Sequence, residues 1–332
     1  MNNKIKKSYI SKINGISIIM PTYNASTFIT KSIESILNQT FKHFEFIIID
    51  DGSTDNTLKI INKYAKRDTR IKVIKSKHIG ISKALNKGIA ESKYPWIARM
   101  DADDIALPKR LEKQINATKI NPKVVAWGAY AYHINSKENI LSIARTGPIS
   151  EKKFYEQRNS GQTILVIHPT AFLKKEILLK AGGYDSRFDG AEDIELFDRM
   201  AEYGPILAIQ KPLLLYRISL QSFFMKKFFL SNLICKYVNA RHGARLKGKK
   251  LSYKGFLKEY KQQPLFSRCN RYFRILGQFY FRKGSVFFAE KHYLQSCFYL
   301  SLSIFLNPKY SLLRAWNRKF SPDAHKWLKK MK

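Results

Sequence analysis

The chain has 332 residues, 45% of them hydrophobic and 13% aromatic. That is enough apolar material for one large domain or two ordinary ones, and it excludes a disordered or fibrous protein. Lys and Arg number 60 against 25 Asp and Glu, a formal net charge of +35, and the three cysteines, Cys235, Cys269 and Cys297, are too few and too far apart for a disulfide framework or a zinc knuckle. A reducing compartment is therefore expected, with any metal held by oxygen or imidazole. The basic N-terminus, MNNKIKKSYISKINGISIIM, has no apolar stretch of signal-peptide length, so no secretion is expected.

The first elements alternate in type. Ile16 to Met20 reads as a strand, and Asn24 precedes Phe28, Ile29, Ile33, Ile36 and Leu37 at helical spacing. Phe44 to Ile49 is the next strand, ending in Asp50 and Asp51, with Thr54 the expected N-cap of a helix through Ala65. Ile71 to Ile74 forms a third strand, Ile81 to Ala90 a helix, and Trp96 to Met100 a fourth strand that runs into Asp101. This alternation predicts an α/β fold, a mostly parallel sheet with helices on both faces.

Ligands bind such sheets beyond the carboxyl ends of the strands. There stand Pro21-Thr22-Tyr23-Asn24, Asp50-Asp51-Gly52-Ser53 and Asp101-Ala102-Asp103-Asp104. Acidic clusters in an otherwise basic chain suggest a divalent cation, because hard cations want carboxylate oxygens and Mg²⁺ commonly shares carboxylates with substrate phosphates. Structural readings stand beside this one. Asp50 and Asp51 before Gly52 are also turn residues or a helix cap. Asp104 is an outer group or the cap of a helix opening near Pro108, and Glu192 and Asp193 suit a helix start. Arg99, on the strand before Asp101, is read as one half of a structural ion pair.

The strings SIIMPTYNASTFITKSIESILNQT, FEFIIIDDGSTDNT, GISKALNKGIA, WIARMDADDIALPKRL and GGYDSRFDGAEDIELFDRM come in one order and spacing. Over about residues 15–222 they resemble the family 2 glycosyltransferases with the GT-A fold, a Rossmann-like nucleotide-diphospho-sugar transferase. The resemblance implies that Pro21, Thr22, Tyr23 and Asn24 line the nucleotide pocket and that Asp51 accepts from the imide of a uracil-type base. The segment Gly80 to Asn86 would close over the base, with His78 and Lys83 near phosphate. Asp101 would lie by the ribose, Ala102 would also line the nucleotide-sugar site, and Asp103 would ligate Mg²⁺ or Mn²⁺. Asp193, beside Glu192, matches the catalytic base. His168, after the apolar run Ile164 to Ile167, faces the acceptor or is a satisfied histidine at a strand end. Tyr216 and Arg217 match a YR motif near the diphosphate, although Ser219 stands where many members carry His.

The reaction so implied is metal-dependent, inverting transfer of one sugar, from a UDP-sugar by preference, to a hydroxyl of a glycan or lipid-linked glycan in surface polysaccharide, lipopolysaccharide or capsule assembly. A divalent ion stabilises charge on the leaving diphosphate. A positioned carboxylate takes the proton of the attacking hydroxyl.

From Lys226 to Lys332 there are 25 Lys and Arg against 3 acidic residues, and 22 of the chain's 44 aromatics. Residues 223–332 are therefore read as a basic, aromatic-rich helical extension to the 15–222 domain, docking on the cytoplasmic face of an anionic membrane as a peripheral protein. His292 to Pro308 carries no Asp, Glu, Lys or Arg, yet it is too short and polar for a span and reads as one of a packed helix pair. Nucleic acid is the rival partner for so basic a chain, but no nucleic-acid-binding signature appears. A catalytically inactive nucleotide-sugar-binding protein is the other alternative, against which Asp51, Asp103 and Asp193 speak.

Overall fold

The computed structural model describes residues 15–319, side chains at Phe224 and 316–319 excepted. In chain order the elements are β1 (Ile16–Thr22), α1 (Ile29–Leu37), β2 (Phe44–Asp50), α2 (Thr57–Ala65), β3 (Ile71–Lys75), α3 (Ile81–Glu91) and β4 (Trp96–Arg99). There follow β5 (Ile105–Ala106), α4 (Arg110–Ile120), β6 (Ala126–Ile134), β7 (Ile140–Ala144), α5 (Glu151–Asn159), β8 (Phe172–Lys174), α6 (Lys175–Lys180), α7 (Glu192–Met200) and β9 (Ile206–Arg217). The rest is helical: α8 (Phe223–Lys226), α9 (Phe228–Leu246), α10 (Tyr253–Gln262), α11 (Leu265–Ala289), α12 (Tyr293–Leu306) and α13 (Pro308–Lys319).

All strands join one sheet in the order β3-β2-β1-β4-β8-β6-β9-β5, with β7 beside β6. The β3-β2-β1-β4 half is parallel, β8 is antiparallel to both β4 and β6, and β6 and β9 are parallel. Ile16, Ile18, Ile19, Met20 and Phe46 to Ile49 are buried, as parallel strands covered on both faces require. Helix α3 lies close on this sheet at Gly88, where a Cβ would stand 2.7 Å from Ile19 Cγ2 and 2.8 Å from Ile49 Cδ1.

Local signals were misread at two places. Helix α2 begins at Thr57 and not after Thr54, because Asp55 accepts from the Thr57 N–H at 2.9 Å while the Thr54 N–H donates to Asn24 Oδ1 at 2.8 Å. Ile164 to Ile167 is irregular, and His168 opens a single 3₁₀ turn ahead of β8. Of the two readings of Asp104, the helix cap falls away, since α4 starts at Arg110.

The described residues divide into two compact units, one of 15–217 with Leu233–Lys250, the other of Ile218–Asn232 with 251–319. The 233–250 stretch of the basic third thus belongs with the sheet unit. In the second unit α11 and α12 form a hairpin. Gly277 and Gly284 meet Asn307 and Leu300, and Ser303 Oγ donates to Gly277 O at 2.7 Å. Ser296 Oγ likewise donates to Gly284 O at 3.0 Å. The charge-free run is one arm of a packed helix pair.

Candidate active site

The register of β1 on β2 sets Thr22 against Asp50, so the loops after the two strands lie side by side, joined by Asp51 N–H to Thr22 O at 2.8 Å. Asn24, in left-handed conformation at φ 49°, clasps them: its N–H donates to Ser53 Oγ at 3.0 Å and its Oδ1 takes the Thr54 N–H. Pro21 lies within β1 opposite Ile49. Asp51 is buried and holds the 76–80 segment, accepting from Ile79 N–H at 2.7 Å and Gly80 N–H at 2.9 Å. Those bonds leave lone pairs for a further donor. Gly80 has φ 89°, and a Cβ there would stand 3.0 Å from Asp189 Oδ2, while Asp189 Oδ1 accepts from Ser82 Oγ. Tyr23 is exposed, with its ring 4.2 Å from the His78 ring. Lys83 is exposed on the first turn of α3, but Asn86 engages both ends of its amide with Tyr184 O at 2.7 Å and Tyr184 N–H at 2.9 Å. Asn86 therefore acts as a clamp between α3 and the turn before α7.

Beyond β4 come Asp101, Asp103 and Asp104, each offering one carboxylate oxygen within 4.8 Å of the others. Ser32 Oγ lies 2.7 Å from Ala102 O and 2.6 Å from Asp104 O, which fixes the turn. Arg217, expected at the diphosphate, is buried beneath: its N–H donates to Asp104 Oδ1 at 2.8 Å, its Nε to Asp103 O at 2.8 Å, and Nη1 to Asn135 O at 2.9 Å. Its guanidinium also covers the Phe28 ring at 4.3 Å. Burial, and then the Asp101 charge, push Asp103 up to about 6. Burial and the Asp103 and Asp101 charges push Asp104 well above the carboxylate range. Asp104 Oδ2 is buried with no partner. Crowded hard oxygens with an orphaned carboxylate atom fit a divalent cation.

A second cluster stands nearby. Arg99 is buried and ion-paired with Asp101, as the sequence suggested, and its charge also bears on Glu192, Asp193 and His168. Glu192 and Asp193 open α7, and Glu192 Oε2 accepts from Gly190 N–H at 2.7 Å. Burial and then the Asp193 charge raise Glu192 to about 7, and burial raises Asp193. Buried His168 faces Tyr184 Oη at 2.9 Å through Nε2 and Glu192 at 3.9 Å through Nδ1, and burial and then Arg99 hold its pKa well below the ordinary value. It is a neutral imidazole, hydrogen-bonded to Tyr184 beside the two carboxylates, a satisfied histidine that opens a 3₁₀ turn and does not end a strand. Tyr216 lies 5.7 Å from the His133 ring, and burial, then Asp104, raises its phenol.

Sequence reasoning missed two supports of this site. Fully buried Arg110 donates to Arg99 O at 2.6 Å and lies 3.2 Å from Met100 Sδ. Behind α7, fully buried Asp198 pairs with Arg158 at 2.7 Å, Arg241 at 2.7 Å and Arg245 at 3.1 Å, while Arg241 also meets Glu195 at 2.7 Å. Burial would raise Asp198, but Arg241 and the other arginines outweigh it and hold the carboxyl low. Two cations of the basic third thus anchor the α7 helix instead of facing a partner. Glu195 and Asp198, acidic positions of α7 beyond the Glu192-Asp193 pair, were the available signal for them.

Residues 17–181 match the family described as Glycosyl transferase family 2. The chain is 33% identical over 232 residues to the uncharacterized glycosyltransferase MJ1057 of Methanocaldococcus jannaschii, covering 68% of this chain and 79% of that one. It is 33% identical over 217 residues to the O-antigen biosynthesis glycosyltransferase WbnJ of Escherichia coli, covering 61% and 79%. Of an uncharacterized Haemophilus influenzae glycosyltransferase at 32% identity the chain spans 65%, just under two thirds. In fold it is similar to the crystal structure of S. aureus TarS 1-349 in complex with UDP-GlcNAc, with a TM-score of 0.57 at 16% identity, covering 88% and 91% of the two chains.

Proposed function

The chain belongs to glycosyl transferase family 2, and on that premise we propose that it moves one sugar from a UDP-sugar to a hydroxyl of a glycan or lipid-linked glycan in surface-polysaccharide assembly, inverting at the transferred carbon. The observation that carries this reading is the pair of acidic clusters, Asp101/Asp103/Asp104 and Glu192/Asp193, both under the charge of Arg99. The donor class rests on Asp51 at the β2 end and on the UDP-GlcNAc bound to TarS. The acceptor class rests on the O-antigen relative.

Asp103, with Asp101 and Asp104 beside it, would hold Mg²⁺ or Mn²⁺ against the diphosphate. The ion supplies Lewis-acid stabilisation of the charge that builds on the leaving phosphate. Asp51 and Asn24 shape the base pocket. Asp193 takes the acceptor proton, and burial lifts its basicity toward what proton transfer needs. Glu192, neutral for part of the time near pH 7, and uncharged His168 keep the charge at that face low. One base opposite the leaving group gives a single displacement and hence inversion. We place the reaction at the cytoplasmic face of an anionic membrane, reached through the basic helical unit.

The test is a thermal-shift and donor-hydrolysis screen of nucleotide sugars with and without Mn²⁺, on the native chain, Asp103→Ala and Asp193→Asn. Metal-dependent binding that disappears in Asp103→Ala, with turnover down by about 10² to 10⁴ in Asp193→Asn at retained donor binding, is expected. A UDP-sugar that binds equally well to Asp103→Ala overturns the metal role, and a retained anomeric configuration overturns inversion.

A further inference from the structure

The α12 arm of the hairpin turns its large apolar groups outward. Gly277, Gly284, Ser296 and Ser303 form the seam, with Phe281 and Val286 of α11 buried beside them, and Ser303 Oγ lies 2.6 Å from Ser311 Oγ of α13. On the outer face Leu294 is 86% and Phe305 83% exposed, and Phe298, Ile304, Leu312 and Leu313 are exposed with them. A water-facing helix pair places such side chains inside. Small residues on the inner seam and large apolar ones on the outer face are the arrangement of helices whose surroundings are themselves apolar.

Three observations choose the occupant. Residues 293–306 contain no charged side chain, while Lys291 and Lys309 flank them at the two ends. The stretch 251–319 holds 13 Lys and Arg against 2 Glu, so a second copy would bring like charge to the surroundings of this charge-free helix, whereas anionic headgroups complement them. Helix α12 has 14 residues, about 21 Å at 1.5 Å each, against about 30 Å of hydrocarbon. Among the described residues no helix is long and apolar enough to cross a membrane. The helix is of a length that lies in the interface.

We propose that α12 and the first turns of α13 are the surface by which the chain enters an anionic lipid leaflet, Leu294, Phe298, Phe305, Leu312 and Leu313 penetrating the acyl boundary and the flanking cations resting on the phosphates. This rests on the membrane reading above and adds insertion, and its location, to mere electrostatic adsorption. Membrane binding then has two components, a salt-sensitive one from the basic surface and a salt-resistant one from this face.

Cys297, exposed on this helix between Leu294 and Phe298, is the reporter. In the full chain with Cys235→Ser and Cys269→Ser, an environment-sensitive fluorophore on Cys297 is read with vesicles of phosphatidylglycerol and phosphatidylcholine, or of phosphatidylcholine alone. Expected are a blue shift on the anionic vesicles and quenching by nitroxides on the acyl chains, with neither for the same fluorophore on Ser160→Cys in a chain lacking its native cysteines. The triple change Leu294→Ser, Phe298→Ser, Phe305→Ser lowers partition into anionic vesicles at high salt by about 100-fold, and exposed positions leave the fold in place. Co-sedimentation with vesicles while the Cys297 probe stays wet overturns insertion alone. No co-sedimentation with either vesicle overturns the membrane reading as well. A blue shift without lipid that grows with protein concentration assigns the face to a second copy and overturns the proposal. Donor hydrolysis on the same samples is independent of all three, so loss of the transferase reading is seen separately.

Discussion

The two compact units solve opposite packing problems. In the sheet unit the buried side chains that distinguish one position from another are charged: Arg99, Arg110, Arg158, Arg217, Asp104, Glu192, Glu195 and Asp198 lie inside. Arg217 and Asp104 fix the turn beyond β4, while Asp198, Glu195 and Arg158 tie α5, α7 and α9 together. In the helical unit the α11–α12 seam is made by glycine and serine beside buried Phe281 and Val286, and α12 carries apolar bulk on its outer face. Buried ions cost desolvation and are tolerated where partners satisfy them, which suits a site that must hold carboxylates at defined places. Small residues let helix backbones approach without relying on water to drive apolar groups inward, which suits a face with apolar surroundings. Charge-based and contact-based cores fail under different perturbations, and the difference is measurable.

The largest effect is expected at Asp198. It faces Arg158, Arg241 and Arg245, and His242 Nδ1 at 3.9 Å, with no exposure to solvent. Asp198→Ala leaves three guanidinium groups to Glu195 and Glu202 alone, a loss of about 3 to 5 kcal/mol by the measure of broken buried ion pairs. Urea unfolding gives the magnitude. Hydrogen exchange places it: amides of α5, α7 and the 233–246 part of α9 lose protection, and those of α11 and α12 keep theirs. A loss spread evenly over both units would erase the distinction drawn here.

Gly277 is the counterpart in the hairpin. A Cβ there would stand 2.7 Å from Asn307 Cβ and 3.2 Å from Asn307 N, so the α12–α13 corner must move. Gly277→Val is expected to cost about 1 to 3 kcal/mol through overpacking and to disturb the Ser303 bond to Gly277 O, with exchange now rising in α11 and α12 only. Unlike the Asp198 effect it is insensitive to added salt. Salt dependence equal to that of Asp198→Ala would mean that the hairpin is held by its cations and not by its seam.

The half of the sheet that carries the site was legible because its strands are continuous apolar runs ending in Asp and Gly, a pattern tied to neighbouring residues. The places of Asp51, Asp101 and Asp103 just beyond strand ends were legible for the same reason. Roles set by distant partners were not. Asn86 meets Tyr184, and Arg217 meets the main chain of Asp103 and Asn135, so motif position suggested ligand contacts where the fold uses clamps. The parallel pairing of β6 with β9 joins Ala126 to Ile206 and has no local signature. Composition counted Arg241 and Arg245 with a basic surface, because a charge count does not see that Asp198 lies opposite them. A charge-free run such as 293–306 reads alike whether its apolar side faces in or out.

The smallest effect tests the electrostatics of the site itself. Burial and the Asp193 charge raise Glu192 from the usual 4.5 to about 7, so the folded state keeps this proton over a range in which the unfolded chain has released it. Stability from this group is therefore full below about pH 4.5 and declines as pH rises toward 7, because the folded state binds more protons there than the unfolded one. Glu192→Gln removes the titration and keeps an amide oxygen to accept the Gly190 N–H. The variant should gain melting temperature relative to the native chain as pH goes from 5 to 8, with the two alike at the acid end. A constant offset across that range would mean that Glu192 is already ionised at pH 5, its charge compensated by Arg99, and the low-charge environment ascribed to the base at Asp193 would not exist.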